Sequence, residues 1–119
     1  MRVEDIMSSP VSVTKRSVKV MYLKDLFTRK NINAVPVVED DGTITGIVSS
    51  SDTAKCHDEK LTVADIMSEH VHIAVKNTRV KDAAAVMVKH KVHHLVVMEE
   101  GDVVGMLSSL DVMKAFAEG

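Results

Sequence analysis

The chain has 119 residues, 45% of them hydrophobic, which is material for a compact fold with a core of its own and excludes a large multidomain machine. Lys and Arg total 15 against 17 Asp and Glu, and aromatic residues make up 3%. Neither an electrostatic footprint for nucleic acid nor a platform for stacking bases is present. The longest apolar runs, such as residues 35–38, fall far short of the roughly 20 residues that span a bilayer. With one cysteine, Cys56, and no secretory leader run at the start, the expectation is a soluble, cytoplasmic protein without disulfides or membrane contact. Val and eight Met are expected to fill the core.

In chain order, Val3-Glu4-Asp5-Ile6-Met7 comes first, then Ser and the β-prone run Val11-Ser12-Val13. Residues 18–30 carry apolar side chains at spacings of three and four, which predicts an amphipathic helix. Residues 35–39 and 43–48 are β-branched and flank Asp40-Asp41-Gly42, so they read as a hairpin. Serines 49 to 51 are helix caps that place Asp52 in the first turn of a short helix ending near Cys56. The polar stretch 55–60 reads as a solvated linker.

The same series then returns. Val63-Ala64-Asp65-Ile66-Met67 repeats the opening motif sixty positions on, followed by Val71-His72-Ile73, a helix at 79–90 and strands at 95–98 and 102–107 about Glu100-Gly101. Gly46-Ile47-Val48-Ser49-Ser50-Ser51-Asp52 is matched by Gly105-Met106-Leu107-Ser108-Ser109-Leu110-Asp111, with a helix ending near Phe116. A repeat of this regularity sets the fold class: α+β, with β-α-β-β-α twice, repeat one at 1–60 and repeat two at 61–119. A unit of about 60 residues is marginal alone. The halves are therefore expected to pack together about a pseudo-twofold axis, leaving related clefts of the kind in which small-molecule sites concentrate.

The doubled Asp-Ile-Met opener, the strand Ala34-Val35-Pro36-Val37-Val38 and the doubled Gly-apolar-apolar-Ser-x-x-Asp segment resemble a tandem CBS-domain pair, or Bateman module, over residues 1–117. Val96 stands where the family pattern has proline, and Asn33 where a basic or small residue often sits. The resemblance implies two pseudo-symmetric repeats packed through their sheets. It also implies a regulatory module rather than an enzyme, which binds AMP, ADP or ATP, or else S-adenosylmethionine or NAD. An unidentified protein effector and a homodimer formed through the amphipathic helices are further implications.

A carboxylate in the first turn of a helix can accept hydrogen bonds from both vicinal ribose hydroxyls, and a serine three residues earlier adds a donor. Asp52 with Ser49 and Asp111 with Ser108 fit this, and each Asp also complements its helix dipole. In modules of the resembling family the Asp of one repeat faces segments of the other, so the resemblance implies two clefts. The first combines Ile47, Ser49 and Asp52 with His70, Val71, Val92, His93 and His94. The second combines Met106, Ser108 and Asp111 with Ser9, Val11, Ile32, Asn33 and Ala34. Imidazoles can donate to phosphate and can become cationic near neutral pH, so the Asp52 cleft is expected to prefer a phosphorylated adenosine, and the Asp111 cleft a less charged ligand.

No metal site is expected, since His93 and His94 are adjacent on a strand and point to opposite faces, without a supporting Cys pair or helical His spacing. Cys56-His57-Asp58, contiguous in a polar loop, lacks the geometry of a nucleophile and its base. No Gly-x-Ser-x-Gly elbow, Walker A loop or dinucleotide fingerprint is present. The rival reading is a dimerisation or scaffold module that binds no ligand.

Overall fold

The computed structural model describes residues 1–9 and 11–119. In order, the elements are α1 (Val3–Ile6), α2 (Val20–Lys30), β1 (Ala34–Val38), β2 (Ile44–Ser49), α3 (Ser50–Ala54), α4 (Val63–Ile66), β3 (Ile73–Val75), α5 (Val80–His90), β4 (His94–Glu99), β5 (Asp102–Ser108) and α6 (Ser109–Glu118). The architecture is mixed α and β and built twice, as the repeat predicts.

The compact units follow a different division from the sequence period. Unit 1 joins Met1–Val11 to His72–Gly119, and unit 2 is Ser12–Val71. Each repeat has handed its opening helix to the other. In unit 1 the α1 amides of Val3 and Glu4 donate to Thr78 O at 2.8 Å and Lys76 O at 3.0 Å, and Val3 is buried with Leu95, Val97 and Leu107. In unit 2 Val63 and Ala64 of α4 donate to Val18 O at 2.8 Å and Arg16 O at 3.0 Å, and Val63 is buried with Leu23, Phe27, Val35 and Val48. A repeat too small to complete its own core is thus closed by one turn of helix from its twin.

Two glycines make room for this exchange. Ser8 and Met106 trade backbone hydrogen bonds of 2.9 and 3.1 Å beside Gly105; Ser68 and Ile47 trade two of 2.9 Å beside Gly46. A Cβ on Gly46 would lie 2.7 Å from the Met67 sulfur and 2.9 Å from Ser68 O, and one on Gly105 would overlap the Met7 sulfur. Only glycine permits so close an approach of backbone to a neighbouring segment.

The polar stretch 55–60 lies within unit 2 instead of joining two units. Cys56 is buried, with its Sγ–H directed at Asp52 O 3.3 Å away and its carbonyl accepting the Lys24 ammonium. The expected solvated linker is therefore tied down at its start, because the chain must turn back under α2 to reach α4. Of the methionines, Met1, Met21 and Met113 are exposed, so packing accounts for only part of the set.

The hairpins form as expected, β1 antiparallel to β2 and β4 antiparallel to β5. The leading strands differ. β3 runs parallel to β4 over three residues, whereas the expected strand at 11–13 is reduced to a single parallel bridge, Thr14 with Val37. The cause is one residue. Val96 donates its N–H to His72 O at 2.9 Å, and its counterpart is Pro36, which has no N–H to offer Ser12. Pairing in unit 2 therefore begins only at Thr14, whose N–H donates to Pro36 O and whose carbonyl accepts from Val38, both at 2.9 Å.

Candidate ligand site

In each unit the second hairpin strand runs straight into a helix through a serine cap. Ser49 N–H donates to Asp52 Oδ2 at 2.8 Å and Ser49 Oγ approaches the same oxygen at 2.9 Å, while Asp52 N–H faces Ser49 Oγ at 3.4 Å. In unit 1 Ser108 N–H donates to Asp111 Oδ2 at 2.9 Å and Asp111 N–H to Ser108 Oγ at 3.1 Å. These are reciprocal capping boxes, and each satisfies two backbone donors at a helix start. Both carboxylates use only Oδ2 for this, which leaves Oδ1 outside the capping bonds.

With Asp52, unit 2 contains Ile47, Ser49, Ile32, Asn33, Ala34, His70 and Val71 from the sequence-predicted set. Ala34 pairs with Ser49, Asn33 O accepts from Ser50 N–H at 2.8 Å, Ile47 bridges Ser68, and His70 N–H donates to Ser68 Oγ at 3.2 Å. Unit 1 holds Met106, Ser108 and Asp111 with Ser9, Val11, Val92, His93 and His94. There His94 pairs with Ser108, His93 O accepts from Ser109 N–H at 2.8 Å, and Ser9 Oγ donates to Val104 O at 3.0 Å. Two residues absent from the expected set, Ser50 and Ser109, join the pre-hairpin segment to the helix start. Ser109 Oγ also lies 3.4 Å from His93 Nδ1. The Ser-Ser doublet repeated at both caps was the available signal for them.

Elsewhere, the Thr62 amide and hydroxyl hold the Asp65 carboxyl below the usual carboxylate range, and the Thr43 amide does the same for Asp41. The His72 and His90 rings stack with centroids 4.4 Å apart. Among the described residues no three His, Cys, Asp or Glu side chains gather to hold a metal ion, and no helix is long and apolar enough to cross a membrane.

A duplicated α+β module with a serine-capped passage from strand to helix in each unit is the class that these features define. The chain belongs to the CBS-domain family, whose model matches residues 3–56 and again 63–118. It is 30% identical over 116 residues to the L-aspartate semialdehyde sulfurtransferase of Methanocaldococcus jannaschii, a match covering 96% of this chain but only 23% of that enzyme. Among solved structures it is similar to the CBS domain pair of protein MJ0100 in complex with 5′-methylthioadenosine and S-adenosyl-L-methionine. That similarity has a TM-score of 0.89 and 30% identity, over 99% of this chain and 97% of the other. It is also similar to CBSX2 in complex with AMP, with a TM-score of 0.82 and 25% identity, over 98% of this chain and 96% of that one.

Proposed function

We propose that the chain is a regulatory module that binds an adenosine-containing ligand and passes the ligand's presence to a protein effector. The observation carrying this reading is the pair of carboxylates, Asp52 and Asp111. Each is locked at a helix start through Oδ2, with Oδ1 left to accept from a vicinal diol. Support comes from similar CBS pairs, solved with 5′-methylthioadenosine and S-adenosyl-L-methionine in one case and AMP in another. His70, His93 and His94 favour a phosphorylated member of the class, AMP, ADP or ATP, because imidazoles donate to phosphate oxygens.

Thermal unfolding with AMP, ADP, ATP, S-adenosylmethionine and NADH tests the proposal. Ligand at a hundredfold excess over Kd adds about 2.7 kcal/mol, a shift of several degrees for a domain of this size. The shift is expected with one ligand class and to be lost in Asp52→Ala or Asp111→Ala. Double-mutant cycles of each with His93→Ala then decide which carboxylate shares a ligand with His93. No shift with any of the five overturns the reading in favour of a scaffold that binds no ligand. A homodimer is part of the proposal, with exposed Met21 and Tyr22 on α2 as candidate contacts. Sedimentation of the wild type and Tyr22→Glu tests that part.

A further inference from the structure

Each opener helix ends on a methionine that is set against a glycine of the strand it meets. Met7 caps α1 and Met67 caps α4. The Met7 sulfur occupies the space that a side chain on Gly105 would need, and the Met67 sulfur stands 2.7 Å from where a Cβ on Gly46 would lie. Both pack on a buried cluster, Met7 on that of Leu95, Val97 and Leu107 and Met67 on that of Leu23, Val35 and Val48. Both are half-buried. They differ in this from Met87 and Met106, at 6% and 7% exposure, and from the exposed Met1, Met21 and Met113.

A thioether in such a place suits the core only while it is apolar. Oxidation to the sulfoxide adds an oxygen that accepts hydrogen bonds, and a buried acceptor without a donor is costly. The amides of the adjoining backbone are already committed. Ser8 and Met106 give their N–H groups to each other's carbonyls, as do Ser68 and Ile47, and the N–H groups of Met7 and Met67 close on Val3 O and Val63 O at 2.9 Å. A sulfoxide oxygen at either sulfur therefore gains a partner by moving out toward water, and the opener moves with it.

We infer that Met7 and Met67 are a matched pair of modification sites for peroxide, at which conversion to the sulfoxide releases each opener helix from the core it closes. The sulfur lone pair attacks one peroxide oxygen, the S–O bond forms as the O–O bond breaks, and the second oxygen leaves as water with the two protons of hydrogen peroxide. Sulfur is oxidised by two electrons and the peroxide is reduced by two. Methionine sulfoxide reductases reverse the change, so the openers can be returned to their cores. The inference stands apart from the adenosine reading, because none of its readouts needs a ligand.

Treatment of the full chain with hydrogen peroxide tests it, with peptide mass mapping of the sulfoxides and hydrogen exchange at the amides of Val3 and Glu4 in α1 and of Val63 and Ala64 in α4. With Met7 and Met67 oxidised, protection at these amides is expected to fall at least tenfold, and further than in the two hairpins. Met7→Leu, which keeps the volume and has no sulfur to oxidise, should spare α1 alone, and Met67→Leu should spare α4 alone. Met21→Leu with Met113→Leu should respond as the wild type does. Reductase treatment should restore protection in the wild type, a measurement that needs no variant to fold. The inference is overturned if α1 and α4 keep their protection with both sulfoxides in place, or if the reductase removes the sulfoxides and protection does not return. It is overturned equally if the Leu variants, folded by circular dichroism, lose protection as the wild type does, or if Met7 and Met67 stay reduced until Met87 and Met106 oxidise with them.

Discussion

Units 1 and 2 are built from the same series of elements, yet they differ where single residues differ. Unit 1 has a three-stranded sheet because Val96 offers an N–H where unit 2 has Pro36. Its last helix, α6, runs ten residues, against five for α3. After Asp111 the chain continues with Val, Met, Lys, Ala and Phe. After Asp52 it meets Thr53, whose hydroxyl turns back to Ser50 O at 2.8 Å, and then Cys56, whose N–H closes on Thr53 O at 3.0 Å. A duplicated fold keeps its shared scaffold in the glycines, capping boxes and opener valines. It diverges through residues that remove a donor or end a helix.

The comparison can be broken most strongly at the sheet. Val96→Pro should impose the pattern of unit 2 on unit 1, leaving His72 O without its donor at a cost of about 2–3 kcal/mol in urea unfolding. The converse change, Pro36→Val, should give residue 36 a protected amide in hydrogen exchange.

The glycines come next. Gly46→Ala drives its Cβ against backbone at Ser68 O, whereas at Gly105 the nearest obstacle is the flexible Met7 side chain and Ser8 O is 3.2 Å away. The first should cost about 2 kcal/mol and the second about 1 kcal/mol, read as the difference between the two denaturation midpoints.

A smaller gain is expected at the helix ends. Asn31 and Lys91 both take the left-handed conformation, at φ 51° and 56°, and asparagine tolerates it better than lysine. Lys91→Gly should therefore stabilise by about 1 kcal/mol, and Asn31→Gly by less.

The smallest effect concerns acid. Asp41 and Asp65 are held below the usual carboxylate range by threonine amides, and both lie in unit 2. A carboxyl whose folded pKa is lowered contributes stability in full above its unfolded pKa, and that contribution is lost as pH falls through the folded one. Exchange protection in α4 and the β1–β2 turn, taken relative to the intrinsic rate at each pH, should fall as pH drops below the usual carboxylate range, and Asp65→Asn should lose the pH-dependent part in α4. An equal response of α1 in unit 1 would contradict this assignment.

Much of this was legible in the residues. The two long helices, both hairpins and both serine caps were readable from local periodicity and cap chemistry, which act over a few neighbouring residues. The capping geometry of Asp52 and Asp111 followed from the same short spacing. The leading strand at 11–13 was overread because its apolar pattern matches the true strand at 73–75. The missing donor sits on a partner more than twenty residues away.

The sequence by itself determined the duplicated series of elements, the family and the residues that stand at each helix start, since these depend on composition and spacing along the chain. Only the tertiary structure decided which core each opener enters. Val3 and Val63 are the same residue in near-identical motifs, and either would satisfy either core. Their own spacing does not encode that choice, which is set by the backbone hydrogen bonds to Thr78 and Val18 that the folded path brings within reach.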